Sequence, residues 1–92
     1  MARRDRDYET ILKGCKEFAD AVASINRSAD LLEKEAQVAE GTLKDSVSQK
    51  NIAKITELVN VIRKTTAQGE ERVRELERRI KSEKDRYDGM DR

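Results

Sequence analysis

The sequence predicts an all-α fold: an antiparallel two-helix hairpin, coiled-coil-like, that pairs further into a four-helix bundle. Three observations predict it. Apolar or small residues recur at alternating steps of three and four along nearly the whole chain, which is the seam of a coiled-coil helix. The seam is written twice, and the two copies are out of phase by two residues near mid-chain. Proline is absent, 42% of residues are charged and only 3% are aromatic, which suits long helices better than a globular α/β domain.

The 92 residues suffice for one small domain. Residues 1–7 carry Arg3, Arg4 and Arg6 interleaved with Asp5 and Asp7, and read as a disordered, solvated end. The helical-hairpin domain covers 8–90. Helix 1 spans about 8–43, beginning near Asp7 or Tyr8, where the acidic side chains complement the positive end of the helix dipole. Its seam runs Tyr8, Ile11, Cys15, Phe18, Val22, Ile25, Ala29, Leu32, Ala36, Ala39 and Leu43.

Continuing that register past Leu43 leads to Ser46, Lys50 and Ala53, whereas the second seam starts at Ile52. A two-residue offset is neither a stutter nor a stammer, so one straight helix would turn its apolar stripe away from any partner. A turn within 41–50 repairs this. Gly41 is suited to positive φ at the end of helix 1, and Ser46-Val47-Ser48-Gln49 fits a capping box with Ser46 as N-cap. Asp45, closing Thr42-Leu43-Lys44-Asp45, belongs to a weaker alternative start signal.

Helix 2 spans about 47–88, with 89–92 as a tail. Its seam carries Ile52, Ile55, Val59, Ile62, Thr66, Gly69, Val73, Leu76, Ile80, Glu83, Tyr87 and Met90. Glu70–Arg74, Glu75–Arg79 and Glu77–Lys81 stand at i, i+4 and read as a solvated, ion-paired face. Folding the chain about 45–46 sets Phe18 against Val73, Val22 against Gly69, Ile25 against Thr66, Ala29 against Ile62 and Ala36 against Ile55. The predicted hairpin core is Ile11, Cys15, Phe18, Val22, Ile25, Leu32, Ile52, Ile55, Val59, Ile62, Val73, Leu76 and Ile80. Leu31, Val38, Leu58 and Val61 lie off the seam and are candidates for a partner interface; the pattern does not say whether they face one side.

Several functions are disfavoured. The formal charge of +1 does not suit nucleic acid or a membrane surface. No stretch approaches the roughly 18 apolar residues of a membrane span, and the N-terminus lacks the apolar segment of a cleavable secretory signal. Cys15, the one cysteine, sits on the seam as a small hydrophobe, and with no histidine a zinc site is not expected. No phosphate loop, metal cluster or nucleophile–base pair is evident, so neither a catalytic residue nor a cofactor is expected and the chain reads as a non-enzyme.

The length, the mid-chain turn, the missing signal peptide and the tail Tyr87-Asp88-Gly89-Met90-Asp91 resemble the WXG-type small proteins of type VII (ESX) secretion. Members of that family are helical hairpins that pair as four-helix dimers, with Trp-x-Gly in the turn and often a Tyr-x-x-x-Asp/Glu export motif after helix 2. Tyr87 and Asp91 match the second motif. The first is missing, since the chain has no tryptophan; its place falls near Val47-Ser48-Gln49. The chain therefore looks like the divergent members that serve as helical partners of LXG-type toxins.

The resemblance implies a protein partner: a second copy, another small hairpin protein, or the helical N-terminal domain of an LXG-type toxin. The implied role is that of a secreted partner or targeting chaperone, acting from the bacterial cytoplasm or exported through a type VII system. The alternative is a cytoplasmic structural coiled-coil adaptor. On the fold-back, Tyr87 lies opposite Arg4 with its ring open to a receptor, or else caps the seam near Tyr8.

Overall fold

The computed structural model describes the backbone of residues 2–90 and the side-chain surroundings of residues 6–88. Two helices, α1 (Ala2–Thr42) and α2 (Ser46–Met90), are joined by Leu43-Lys44-Asp45 and run antiparallel. The result is a rod of 71 × 15 × 13 Å.

α1 begins at Ala2, so the stretch expected to be disordered is helical from its second residue. Nothing between Ala2 and Asp7 breaks a helix, since neither glycine nor proline occurs there. Thr10 Oγ1 donates to the Arg6 carbonyl at 2.8 Å, and buried Tyr8 anchors the turn that follows.

The turn forms where the phase break requires it, but by other means than the sequence suggests. Gly41 stays within α1, and no described residue has positive φ. α1 closes instead with the Leu43 amide donating to the Ala39 carbonyl at 2.7 Å, and Thr42 Oγ1 bonding back to the Val38 carbonyl at 3.2 Å.

The N-cap of α2 is Asp45, not Ser46. Asp45 Oδ2 accepts from the Ser48 amide at 2.9 Å, and Ser46 is the first helical residue. Gln49, expected as the reciprocal half of a capping box, reaches back across the turn. Its Nε2 donates to the Leu43 carbonyl at 2.5 Å and to the Glu40 carbonyl at 3.2 Å. One amide side chain thus satisfies two carbonyls left over at the end of α1.

The Ser48 backbone and side chain hold the Asp45 carboxyl below its ordinary pKa of 3.8. A lowered folded pKa means that the cap contributes fully above the ordinary value and is lost as pH falls through the folded one. Asp45→Ala should therefore lower the melting temperature at neutral pH and make little difference in strong acid, where the native cap is already protonated. Melting curves across the acid range measure this.

α2 continues through Gly89 to Met90, two residues past its expected end. The three i, i+4 pairs form, Glu70–Arg74 at 3.1 Å and Glu75–Arg79 and Glu77–Lys81 at 3.0 Å each.

The core is one row per helix. Tyr8, Cys15, Val22, Ala29 and Ala36, seven apart, are buried along α1. Ile52 and Val59 are buried along α2, and Thr66, Val73, Ile80 and Tyr87 continue that row half-buried at the same spacing. Val59 is the one fully buried side chain among the described residues.

The second row of each seam is not part of this core. Ile11, Phe18, Ile25 and Leu76, expected inside, are 39–46% exposed. Leu32, Ile55 and Ile62 are half-buried. The contact line of this hairpin runs along the first row rather than between the two, which leaves the second row at the edge of the contact.

Contacts across the hairpin run slightly further from the turn than a fold-back about 45–46 implies. Tyr8 meets Tyr87, Glu9 meets Lys84, and Asn26, not Ile25, meets Thr66. Helical side chains lean toward their own N-terminus. In an antiparallel pair, the side chains of α1 therefore lean away from the turn and those of α2 toward it, which carries these three contacts outward; the Phe18 ring reaches the other way, onto Gly69 rather than the expected Val73. Tyr87 consequently lies on Tyr8, one helical turn from its expected place opposite Arg4.

Candidate protein-interaction face

A step of three or four residues from the buried row lands about 50° to one side or the other of the helix. In an antiparallel pair the equivalent steps on the two helices fall on the same side, and the two sides of this hairpin differ in chemistry.

One side is polar and cross-linked. Arg63 bridges both acids that face it, with Nη1 at 2.6 Å from Glu33 Oε2 and Nη2 at 2.6 Å from Asp30 Oδ1. Hydrogen bonds to Glu33 first, then to Asp30, hold its guanidinium protonated beyond the ordinary arginine range. Thr66 Oγ1 donates to Asn26 Oδ1 at 3.0 Å, with the Arg63 carbonyl at 3.1 Å as a second acceptor. Lys84 Nζ and Glu9 Oε1 are 3.6 Å apart near the open end.

The other side is apolar and open. It carries Ile11, Phe18, Ile25, Leu32 and Ala39 from α1, with Ile55, Ile62, Gly69 and Leu76 from α2. Two contacts fix that these rows share a side. The Phe18 ring lies over Gly69, its Cζ 3.2 Å from where a Cβ would be, and Ile25, Leu32 and Ile62 line one shallow groove with Ser24 and Ser28. Gly69 thus gives the Phe18 ring a seat that a larger residue would narrow.

Leu31, Val38, Leu58 and Val61 are 53–68% exposed. At about 100° per residue, Leu58, one residue before Val59, turns toward the open side, whereas Leu31, Val38 and Val61, two residues on from the buried row, point nearly away from the other helix. Leu31 and Val38 line a second groove with Ala39 and the stems of Lys34 and Glu35. Gly14, Ala21 and Ser28, seven apart, form a narrow flank of small, exposed residues beside the α1 row, and nothing lies within 4 Å of a Cβ built on Gly14. Another helix can approach closely there.

The chemistry of this face is burial. Each half-exposed Leu, Ile or Phe gains about 1 kcal/mol or more when a partner removes the rest of its surface from water. Contiguous apolar surface of such length marks interaction sites on soluble proteins. Cys15 faces the hairpin interior. Among the described residues there is no group of acids, cysteines or histidines able to hold a metal, and no helix long and apolar enough to cross a membrane.

The tail motif is only partly placed. Tyr87 is half-buried and stacked on Tyr8, with ring centroids 6.2 Å apart and planes at 30°. Its ring is therefore engaged within the hairpin rather than standing open beyond the end of α1. Asp91 lies outside the described residues.

No family model matches the chain, and neither a curated protein nor a solved structure matches it.

Proposed function

We propose that this chain is a non-catalytic binding hairpin whose open apolar side is covered by a helical protein partner, completing a four-helix bundle. We further propose that it serves a type VII secretion system, as a secreted partner or targeting chaperone for the helical N-terminal domain of an LXG-type toxin. The observation that carries the first part is the row of half-exposed Ile11, Phe18, Ile25 and Leu76 beside a single enclosed row. A two-stranded coiled coil encloses both rows of its seam; a hairpin with one enclosed row and one open row has the geometry of half a bundle. The secretion context is supported by the resemblance in length, hairpin form and the Tyr87…Asp91 spacing.

The Tyr8–Tyr87 stack favours a second reading, a structural coiled-coil adaptor in which Tyr87 closes the open end of the hairpin. Because of that stack, Tyr87→Ala removes an aromatic contact worth about 0.5–1.5 kcal/mol and lowers stability under either reading. Asp91→Ala separates them. In a strain with an active type VII system, the export reading expects Asp91→Ala to abolish secretion of the protein or its toxin while helicity and partner binding stay unchanged. Normal secretion of that variant removes the export assignment and leaves the adaptor.

A further inference from the structure

Each helix carries two apolar rows, three residues and so about 60° apart around its axis, and the row that is enclosed is not the bulkier one. Between Phe18 and the turn, α1 encloses Val22, Ala29 and Ala36, while Phe18, Ile25 and Leu32 stand on its open row. Over the same stretch α2 sets Ile52, Val59 and Thr66 inward and leaves Ile55 and Ile62 half-buried on the open row. Apolar area alone therefore does not select the packing found, since enclosing the open rows here would bury larger side chains. The open rows are also near enough to meet. The Phe18 ring already crosses to Gly69, and Ile25, Leu32 and Ile62 share a groove. What opposes their closure lies on the other side of the hairpin. There Arg63 forks between Glu33 and Asp30, and Thr66 donates to Asn26. Turning both helices about their own axes until the open rows met would carry these groups about 60° further from the contact line and part them.

We infer that the hairpin has a second packing, in which α1 and α2 counter-rotate to enclose the Ile25 row and expose the Val22 row, and that the Arg63 fork with the Asn26–Thr66 bond is the latch that holds the first. With the latch closed, the bulky row is presented to solvent. With it broken, the hairpin swallows that row and hides its own apolar face. Packed interfaces switch between discrete arrangements of this kind rather than deforming continuously. The flank that would come inward offers no obstruction, because Ala21 and Ser28 are small. At the open end Glu83 stands in the open row of α2 and Tyr8 stacks on Tyr87, so the rotation is largest toward the turn. The latch does not depend on the reading of the open side as an interface. Its regulatory consequence rests on that reading: a partner that binds the Ile25 row draws the hairpin into the latched packing by its differential affinity for the two.

Thiol alkylation at two positions tests the latch, in a Cys15→Ala background with helicity followed by circular dichroism. Ile25→Cys reports on the open row and Val22→Cys on the enclosed one, positions that are 45% and 3% exposed in the latched packing. With Arg63 in place the cysteine at 25 should react faster. Adding Arg63→Met should slow position 25 and speed position 22, narrowing the ratio of their rates about three- to tenfold, the scale of partly exposed charge pairs. The same opposed shifts are expected from Asp30→Asn with Glu33→Gln, which removes the two charges and keeps the side-chain size. Rates that rise at both positions mean a loosened hairpin, and rates that stay unchanged mean that the fork holds nothing in place; either result overturns the proposal. So does loss of helicity in both latch variants, because the second packing would then not be a folded state. Failure here is distinguishable from failure of the functional reading, which is judged by Asp91→Ala in secretion.

Discussion

Val59→Asp unfolds the hairpin. Val59 has no exposed surface at all, and it lies on the contact line where α2 meets the Ala36 region of α1. A carboxylate there loses its water and gains no partner, a penalty of several kcal/mol. Small domains are stable by only about 5–15 kcal/mol, and a single enclosed row places this one toward the low end. Far-ultraviolet circular dichroism should show loss of most helicity. Val59→Ala removes two carbons and should cost about 1.5–3 kcal/mol, with cooperative melting retained at a lower temperature. Leu58→Asp is the matched control. The Leu58 side chain is 53% exposed on the open face, so the hairpin should remain helical. A fully folded Val59→Asp would mean that the contact line is not what holds the helices together.

The second large effect comes from insertion. Two extra residues in the 43–45 connection lengthen a loop, and loop closure depends only weakly on length. Two extra residues after Ala23 rotate everything on one side of the insertion by about 200° relative to the other. Val22 and Ala29 could then no longer both face α2, and half of the α1 row would turn to solvent. Chemical denaturation should find the turn insertion close to the parent and the mid-helix insertion largely unfolded, or folded only over the half that includes the turn. Equal tolerance at both places would count against the enclosed row as the source of stability.

Much of the fold is legible in the sequence because its signals are local and periodic. The phase break between Leu43 and Ile52 marks the turn, and the i, i+4 ion pairs of α2 follow from spacing alone. The cap is less legible. Asp45 and Ser46 are adjacent and both suit an N-cap, and the choice between them depends on Gln49 bridging back to Leu43 and Glu40, a contact across the turn that no local pattern encodes. Gly41 is misleading for a related reason. A glycine permits positive φ but does not require it, and here the chain closes α1 without it.

The candidate site is legible only in part. A heptad seam does not reveal whether both of its rows are enclosed, because that depends on how many helices surround it. Hence Ile25 and Val22 look equivalent in sequence, yet they are 45% and 3% exposed. Tyr87 shows a different gap. The sequence offers two places for its ring, open opposite Arg4 or capping the seam near Tyr8, and the pairing of the helices decides for the stack on Tyr8.

The elongated form of the hairpin also governs how the molecule moves through solution. Its radius of gyration is 20.6 Å, whereas a compact chain of this length has one of roughly 12 Å. A rod of these proportions suffers more drag than a sphere of equal mass and tumbles slowly about its short axes. On a sizing column calibrated with globular standards, a single chain therefore elutes at the position of a considerably heavier particle. Sedimentation, correspondingly, is slower than its mass would suggest.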